Sequence, residues 1–148
     1  MQDADTRKMS QIMKIQSGGY FSVTTATDQA LNSIGAQRAA SVGNPYPTQQ
    51  TFATWLNPAA FAQPALGTFG MTPNNILGPG TFDLDVSLVR EVRFKERHTV
   101  QFRAEAFNLL NHVLPTNPNA SISTPSTFGK ITVFGNARIM QFALKYVF

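Results

Sequence analysis

Three stretches of this chain place an apolar side chain at every second position. Strands have a side-chain period of two, whereas helices repeat every 3.6 residues, so this pattern restricts the chain more than any other feature. In residues 82–94 (FDLDVSLVREVRF) the even positions are Phe82, Leu84, Val86, Leu88, Val92 and Phe94, with Arg90 the exception. The odd positions carry Asp83, Asp85, Ser87, Glu91 and Arg93, with Val89 the exception. In 98–109 one face holds Val100, Phe102, Ala104 and Ala106, and the other holds Thr99, Gln101, Arg103 and Glu105. In 138–148 one face is Met140, Phe142, Leu144, Tyr146 and Phe148, and the other includes Gln141 and Lys145. The expected fold is all-β: an antiparallel meander of about four long strands. A weaker strand or pair is expected across 9–24, with Gly18 and Gly19 as a bend or bulge.

Proline and charge give the same map. All nine prolines lie between Pro45 and Pro125. Proline cannot donate to a sheet ladder, so strands belong in the proline-free stretches. Residues 39–82 and 106–129 contain no Asp, Glu, Lys or Arg. The segments 25–81 and 110–137 therefore read as long loops, with a small β excursion expected at 128–134. The first two strong strands are joined by only Lys95, Glu96 and Arg97, which keeps matching faces together and brings Glu91 diagonally close to Arg103.

Composition narrows the classes. No apolar run exceeds four residues, far below the roughly 20 of a transmembrane helix. With no cysteine, disulfide scaffolds, thiol catalysis and Cys-based metal sites are excluded. The start, MQDADTRKMS, lacks the roughly 7–15-residue apolar core of a secretory signal. A net charge of +4 suggests an acidic partner, but ten of the 20 charges interleave in sign between Asp83 and Glu105. Nucleic-acid binders carry a one-sign stripe instead, so no nucleic-acid partner is expected.

Short turns at one end and long loops at the other are the pattern of an outer-membrane β-barrel, and strands of 11–13 residues suffice to cross a bilayer at a tilt. A soluble antiparallel β binding module, of adhesin or carbohydrate-binding type, shows the same alternation and stays open on that ground alone. The two readings differ in the destination of Phe82, Leu84, Leu88, Phe102, Phe142 and Leu144. A sandwich covers them with a second sheet; a barrel wall leaves them as a bare band. The last strand favours the barrel, because outer-membrane barrels commonly end in Phe with apolar residues at alternate positions, a signal read by the insertion machinery. Met140, Phe142, Leu144, Tyr146 and Phe148 are the candidate insertion signal.

The chain further resembles the C-terminal end of TonB-dependent outer-membrane receptors of the Oar-like branch, whose members carry a carboxypeptidase-regulatory-like domain. The matching phrases are, in order, SGGYFSVTT (17–25), WLNPAAFAQPALGTFG (55–70), GPGTFDLDVSL (78–88), ERHTVQFRAEAFNLLNH (96–112), NPN (117–119), TFGKIT (127–132) and RIMQFALKYVF (138–148). The resemblance runs from about Ile12 onward. It implies residence in the cell outer membrane, lipid and the barrel-assembly machinery as partners, and two extracellular loops, 25–81 and 110–137. Asp83, Asp85, Glu91, Arg93, Gln101, Arg103, Glu105 and Lys145 would line the lumen. Such receptors have about 22 strands and a plug. Residues 1–148 would thus form an open, partial transmembrane wall belonging with the remaining barrel and plug of a longer parent, and represent a truncated product or an incomplete gene model.

Little in the sequence points to chemistry. Asp83 and Asp85 share a strand face, where paired carboxylates can hold a cation or do acid–base work. No third oxygen cluster accompanies them, so lumen lining and ion pairing are the better expectation. His98 and His112 lack metal-ligand spacing to each other. The asparagines of 108–119 could bind sugar or peptide in an external loop, but asparagine more often supports turns. The chain is expected to have no catalysis, no cofactor and no metal.

Overall fold

The computed structural model describes residues 5–94 and 98–148; the predicted turn at Lys95–Arg97 lies outside them. In chain order the strands are β1 (Asp5–Gln16), β2 (Tyr20–Phe21), β3 (Thr24–Thr25), β4 (Gln37–Arg38), β5 (Ala40–Ser41), β6 (Phe61–Ala62), β7 (Ile76–Leu77), β8 (Thr81–Phe94), β9 (His98–Phe107) and β10 (Ile139–Val147). One short 3-10 turn, Pro58–Ala60, is capped by the Asn57 side chain. The chain divides into two compact units.

The first unit is built on a four-stranded antiparallel sheet in the order β1-β8-β9-β10. All three pairings are antiparallel, running from Asp5↔Val92 to Gln16↔Thr81, from Val86↔Ala106 to Phe94↔His98, and from Ile139↔Phe107 to Val147↔Thr99. The outer edges of β1 and β10 take no further strand among the described residues, so the sheet is open. The strands hold 12, 14, 10 and 9 residues, against the roughly 9–11 that cross a bilayer at a tilt. The first strand departs from expectation. It occupies 5–16 rather than 9–24, and Tyr20–Phe21 beyond the glycines joins a different sheet, pairing with Ile76–Leu77.

The second unit, Ser17–Gly80 with Pro115–Phe134, is formed by segments that read as loops. Three two-stranded ribbons, β2·β7, β3·β4 and β5·β6, surround a core of Val23, Ala39, Leu56, Ala60, Phe61, Met71, Ile76 and Phe128. Trp55 packs against this core, and the Phe61 and Phe128 rings meet edge-on at 5.6 Å. The expected β excursion at 128–134 reduces to one bridge, Pro115↔Phe134; Phe128 and Ile131 are buried there instead. Gly70 lets two backbone segments touch, since a Cβ on it would lie 2.0 Å from the Arg38 carbonyl oxygen. Gly70→Ala is expected to destabilise this unit by about 2 kcal/mol, read as a lower urea midpoint for proteolysis within residues 17–80.

Candidate functional site

The candidate site is the pair of faces of the four-stranded sheet. Directly paired residues point to the same side, so the register fixes both faces. One face carries Met9, Met13 and Ile15 from β1, Phe82, Leu84, Val86, Leu88, Val92 and Phe94 from β8, Val100, Phe102, Ala104 and Ala106 from β9, and Met140, Phe142, Leu144 and Tyr146 from β10. Among the described residues no second apolar sheet covers it. Phe102 remains 46% exposed, Phe142 65% and Leu144 74%. Phe102 and Phe142 stack across the β9–β10 ladder at 6.3 Å. Near the turn end the rings of Phe94, His98 and Tyr146 stack, with the Tyr146 hydroxyl 2.6 Å from His98 Nδ1. Phe148 continues this ring cluster beyond the end of β10.

The opposite face is the more polar one, with Ile12, Val89, Phe107, Ile139, Ala143 and Val147 interspersed on it. Asp83, Asp85, Glu91, Arg93, Gln101, Arg103, Glu105 and Lys145 all lie on it, with Lys8, Ser10 and Lys14 of β1. Glu105 is the hub: it accepts from Ser87 Oγ at 3.4 Å, accepts from Gln141 Nε2 and pairs with Arg103 at 3.6 Å. Glu91 pairs with Arg93 at 3.0 Å. Among the described residues the expected Glu91–Arg103 pair does not form; Arg93 and Arg103 each reach an acid two residues away on their own strands. Lys145 lies opposite Gln101, which in turn lies opposite Glu91.

The paired aspartates are not equivalent. Asp85 accepts the backbone N–H of Asn108 at 2.9 Å, which ties the end of β9 to β8. Asp83 lies opposite Lys14 on the polar face, and its Oδ1 is enclosed without a donor among the described residues. Asn108 is 4% exposed and has φ 49°, a left-handed conformation that asparagine tolerates. Its side-chain amide donates to the carbonyls of His112 (2.9 Å) and Asn136 (3.1 Å), and its oxygen accepts the His112 N–H (2.8 Å). Asn111, also at positive φ, accepts the Arg138 N–H at 3.0 Å. These asparagines are thus engaged in turning β9 into the approach to β10. His112 packs edge-on against Phe82 at 5.9 Å.

One cluster has no counterpart in the sequence reading. Arg7 and Arg90 are directly paired on the apolar face, and Asp5 joins both. In the sequence Arg90 is only a break in alternation; its hydrogen-bond partner on β1, Asp5, is 85 residues distant, where no local pattern reveals it.

Comparison with known proteins adds one result. A family model described as an outer membrane beta barrel domain matches residues 8–141. No curated protein and no solved structure matches the chain.

Proposed function

This chain belongs to the outer membrane beta barrel domain family, and from that membership, which makes it an outer-membrane segment in contact with lipid, we propose that its four-stranded sheet is one sector of a transport barrel. The apolar face meets hydrocarbon. The polar face, with Asp83, Asp85, Glu91, Arg93, Gln101, Arg103, Glu105 and Lys145, lines an aqueous lumen. The observation that carries this reading is the bare apolar face backed by a hydrogen-bonded polar one, the two-sided wall that a bilayer and a wet interior require.

The two open edges extend the argument. Unpaired strand N–H and C=O groups in hydrocarbon cost several kcal/mol each, so membrane sheets close on themselves. Four strands therefore work together with further wall strands. The ordered phrases from SGGYFSVTT to RIMQFALKYVF support a parent of the TonB-dependent, Oar-like type, taking up a substrate with energy coupled from the inner membrane. On this reading residues 25–81 and 110–137 are extracellular loops, and Met140, Phe142, Leu144, Tyr146 and Phe148 engage the assembly machinery. The wall itself carries out no bond-making chemistry. Members of the family are in general not enzymes.

The absence of cysteine makes a direct test convenient. Single substitutions Phe142→Cys and Leu144→Cys, and Gln141→Cys and Lys145→Cys, each take an environment-sensitive fluorophore in vesicles. Brominated acyl chains are expected to quench the first pair strongly and the second pair weakly. Equal quenching at all four positions refutes the face assignment.

A further inference from the structure

We propose that the Arg7–Asp5–Arg90 cluster on the apolar face binds the phosphate of a membrane phospholipid, with an acyl chain lying in the groove beside it. The proposal rests on the lipid-facing reading above. Arg7 and Arg90 are direct cross-strand partners. Like charges so placed repel. Asp5 sits between them: Arg90 donates through Nε at 3.2 Å and Nη2 at 3.1 Å, and Arg7 through Nη2 at 3.0 Å and Nε at 3.3 Å. Two guanidinium groups thus share one carboxylate. Each places two of its five N–H groups on Asp5, leaving three for a further acceptor.

The surroundings specify what that acceptor is. The cluster's row on the sheet contains Phe102 and Leu144, and the next row contains Met9, Leu88 and Phe142. An uncompensated arginine on a lipid-facing strand is costly at the bilayer midplane and tolerated near its interfaces. Arg90 lies four residues from Phe94, roughly 10 Å inside the end of a tilted strand. Long arginine stems reach back from that depth to the headgroups. The anion available there is phosphate, which guanidinium forks grip with paired hydrogen bonds. A groove of about 370 Å³ runs between Arg7, Met9, Leu88, Arg90 and Phe102. It joins cationic donors to an apolar floor, which suits an amphipathic ligand and gives free phosphate nothing for the floor to hold.

The test is native mass spectrometry of the full chain in detergent micelles containing phosphatidylglycerol, diacylglycerol of the same chains, or inorganic phosphate. Phosphatidylglycerol is expected to be retained about tenfold more strongly than diacylglycerol, the scale of charged hydrogen bonds. The double change Arg7→Gln/Arg90→Gln should remove that preference. Asp5→Asn, which frees donors from their carboxylate, should strengthen retention and covers the case in which the double variant does not insert. Equal retention of the two lipids, an unchanged preference in the double variant, displacement by millimolar inorganic phosphate, or unchanged or weaker retention by Asp5→Asn each overturns the proposal. Brominated-lipid quenching at Phe142→Cys separates the two hypotheses. If quenching persists without phospholipid preference, only the phosphate site is lost; if quenching is absent, the barrel reading falls as well.

Discussion

Phe142→Arg is expected to destabilise the membrane-inserted sheet by about 2–4 kcal/mol, the cost of a cation at mid-depth on a lipid-facing strand. Phe142 lies at the middle of β10, is 65% exposed and stacks on Phe102. The arginine would lose that contact and stand among Leu88, Ala104 and Leu144, with no acid on its own row. Gln141→Arg is the internal control. That side chain points to the opposite face, beside Glu105, which it already contacts. An arginine there gains a carboxylate partner, and a change below about 1 kcal/mol is expected. Urea midpoints for folding into vesicles, followed by heat-modifiable gel mobility, provide the readout. Equal effects of the two substitutions would contradict the assignment of faces. A sheet in water with the apolar side turned toward solvent predicts little penalty from either.

Asn108→Ala is the second large effect, about 3–5 kcal/mol. Three side-chain hydrogen bonds vanish, leaving the His112 N–H and the His112 and Asn136 carbonyls short of a partner near a buried position. Each such orphan costs about 1–3 kcal/mol. The backbone at φ 49° adds strain for alanine that asparagine largely avoids. Asn108→Gly relieves the backbone term but not the missing bonds, so it should recover only part of the loss, about 1 kcal/mol. Asp85→Ala removes the acceptor for the Asn108 N–H and should destabilise the same corner by a smaller amount. Recovery by glycine to wild-type stability would mean that the side-chain bonds contribute nothing.

Period-two alternation made three of the four long strands legible within a few residues, because both sheet faces impose it along β8, β9 and β10. It also separates the eight polar-face residues from their apolar neighbours, since a strict two-residue period leaves each side chain one choice of side. β1 was harder to read. Its apolar face mixes Met9, Met13 and Ile15 with Asp5, Arg7 and Gln11, and Ile12 sits among the polar residues, so the alternation is diluted. The extension past the glycines to Thr24 followed from apolar residues that belong to other ribbons. The core of the second unit was illegible for a different reason. Val23, Leu56, Phe61, Ile76 and Phe128 have no common period, and close backbone approaches at Gly18 and Gly70 bring distant segments together. The Glu91 and Arg103 pairings depended on side-chain reach, which face assignment does not determine.

The strand order has a kinetic consequence. β8 and β9 are sequence neighbours, β9 and β10 are separated by residues 108–138, and β1 and β8 by residues 17–80. Chain-closure entropy rises with the span enclosed, and non-local pairing slows assembly. The sheet should therefore zip outward from the β8–β9 hairpin, add β10 next and capture β1 last. Once the second unit has collapsed around its own core, the ends of its 64-residue insert are drawn together. Early condensation of that module would then act as a splint that speeds docking of the amino-terminal strand.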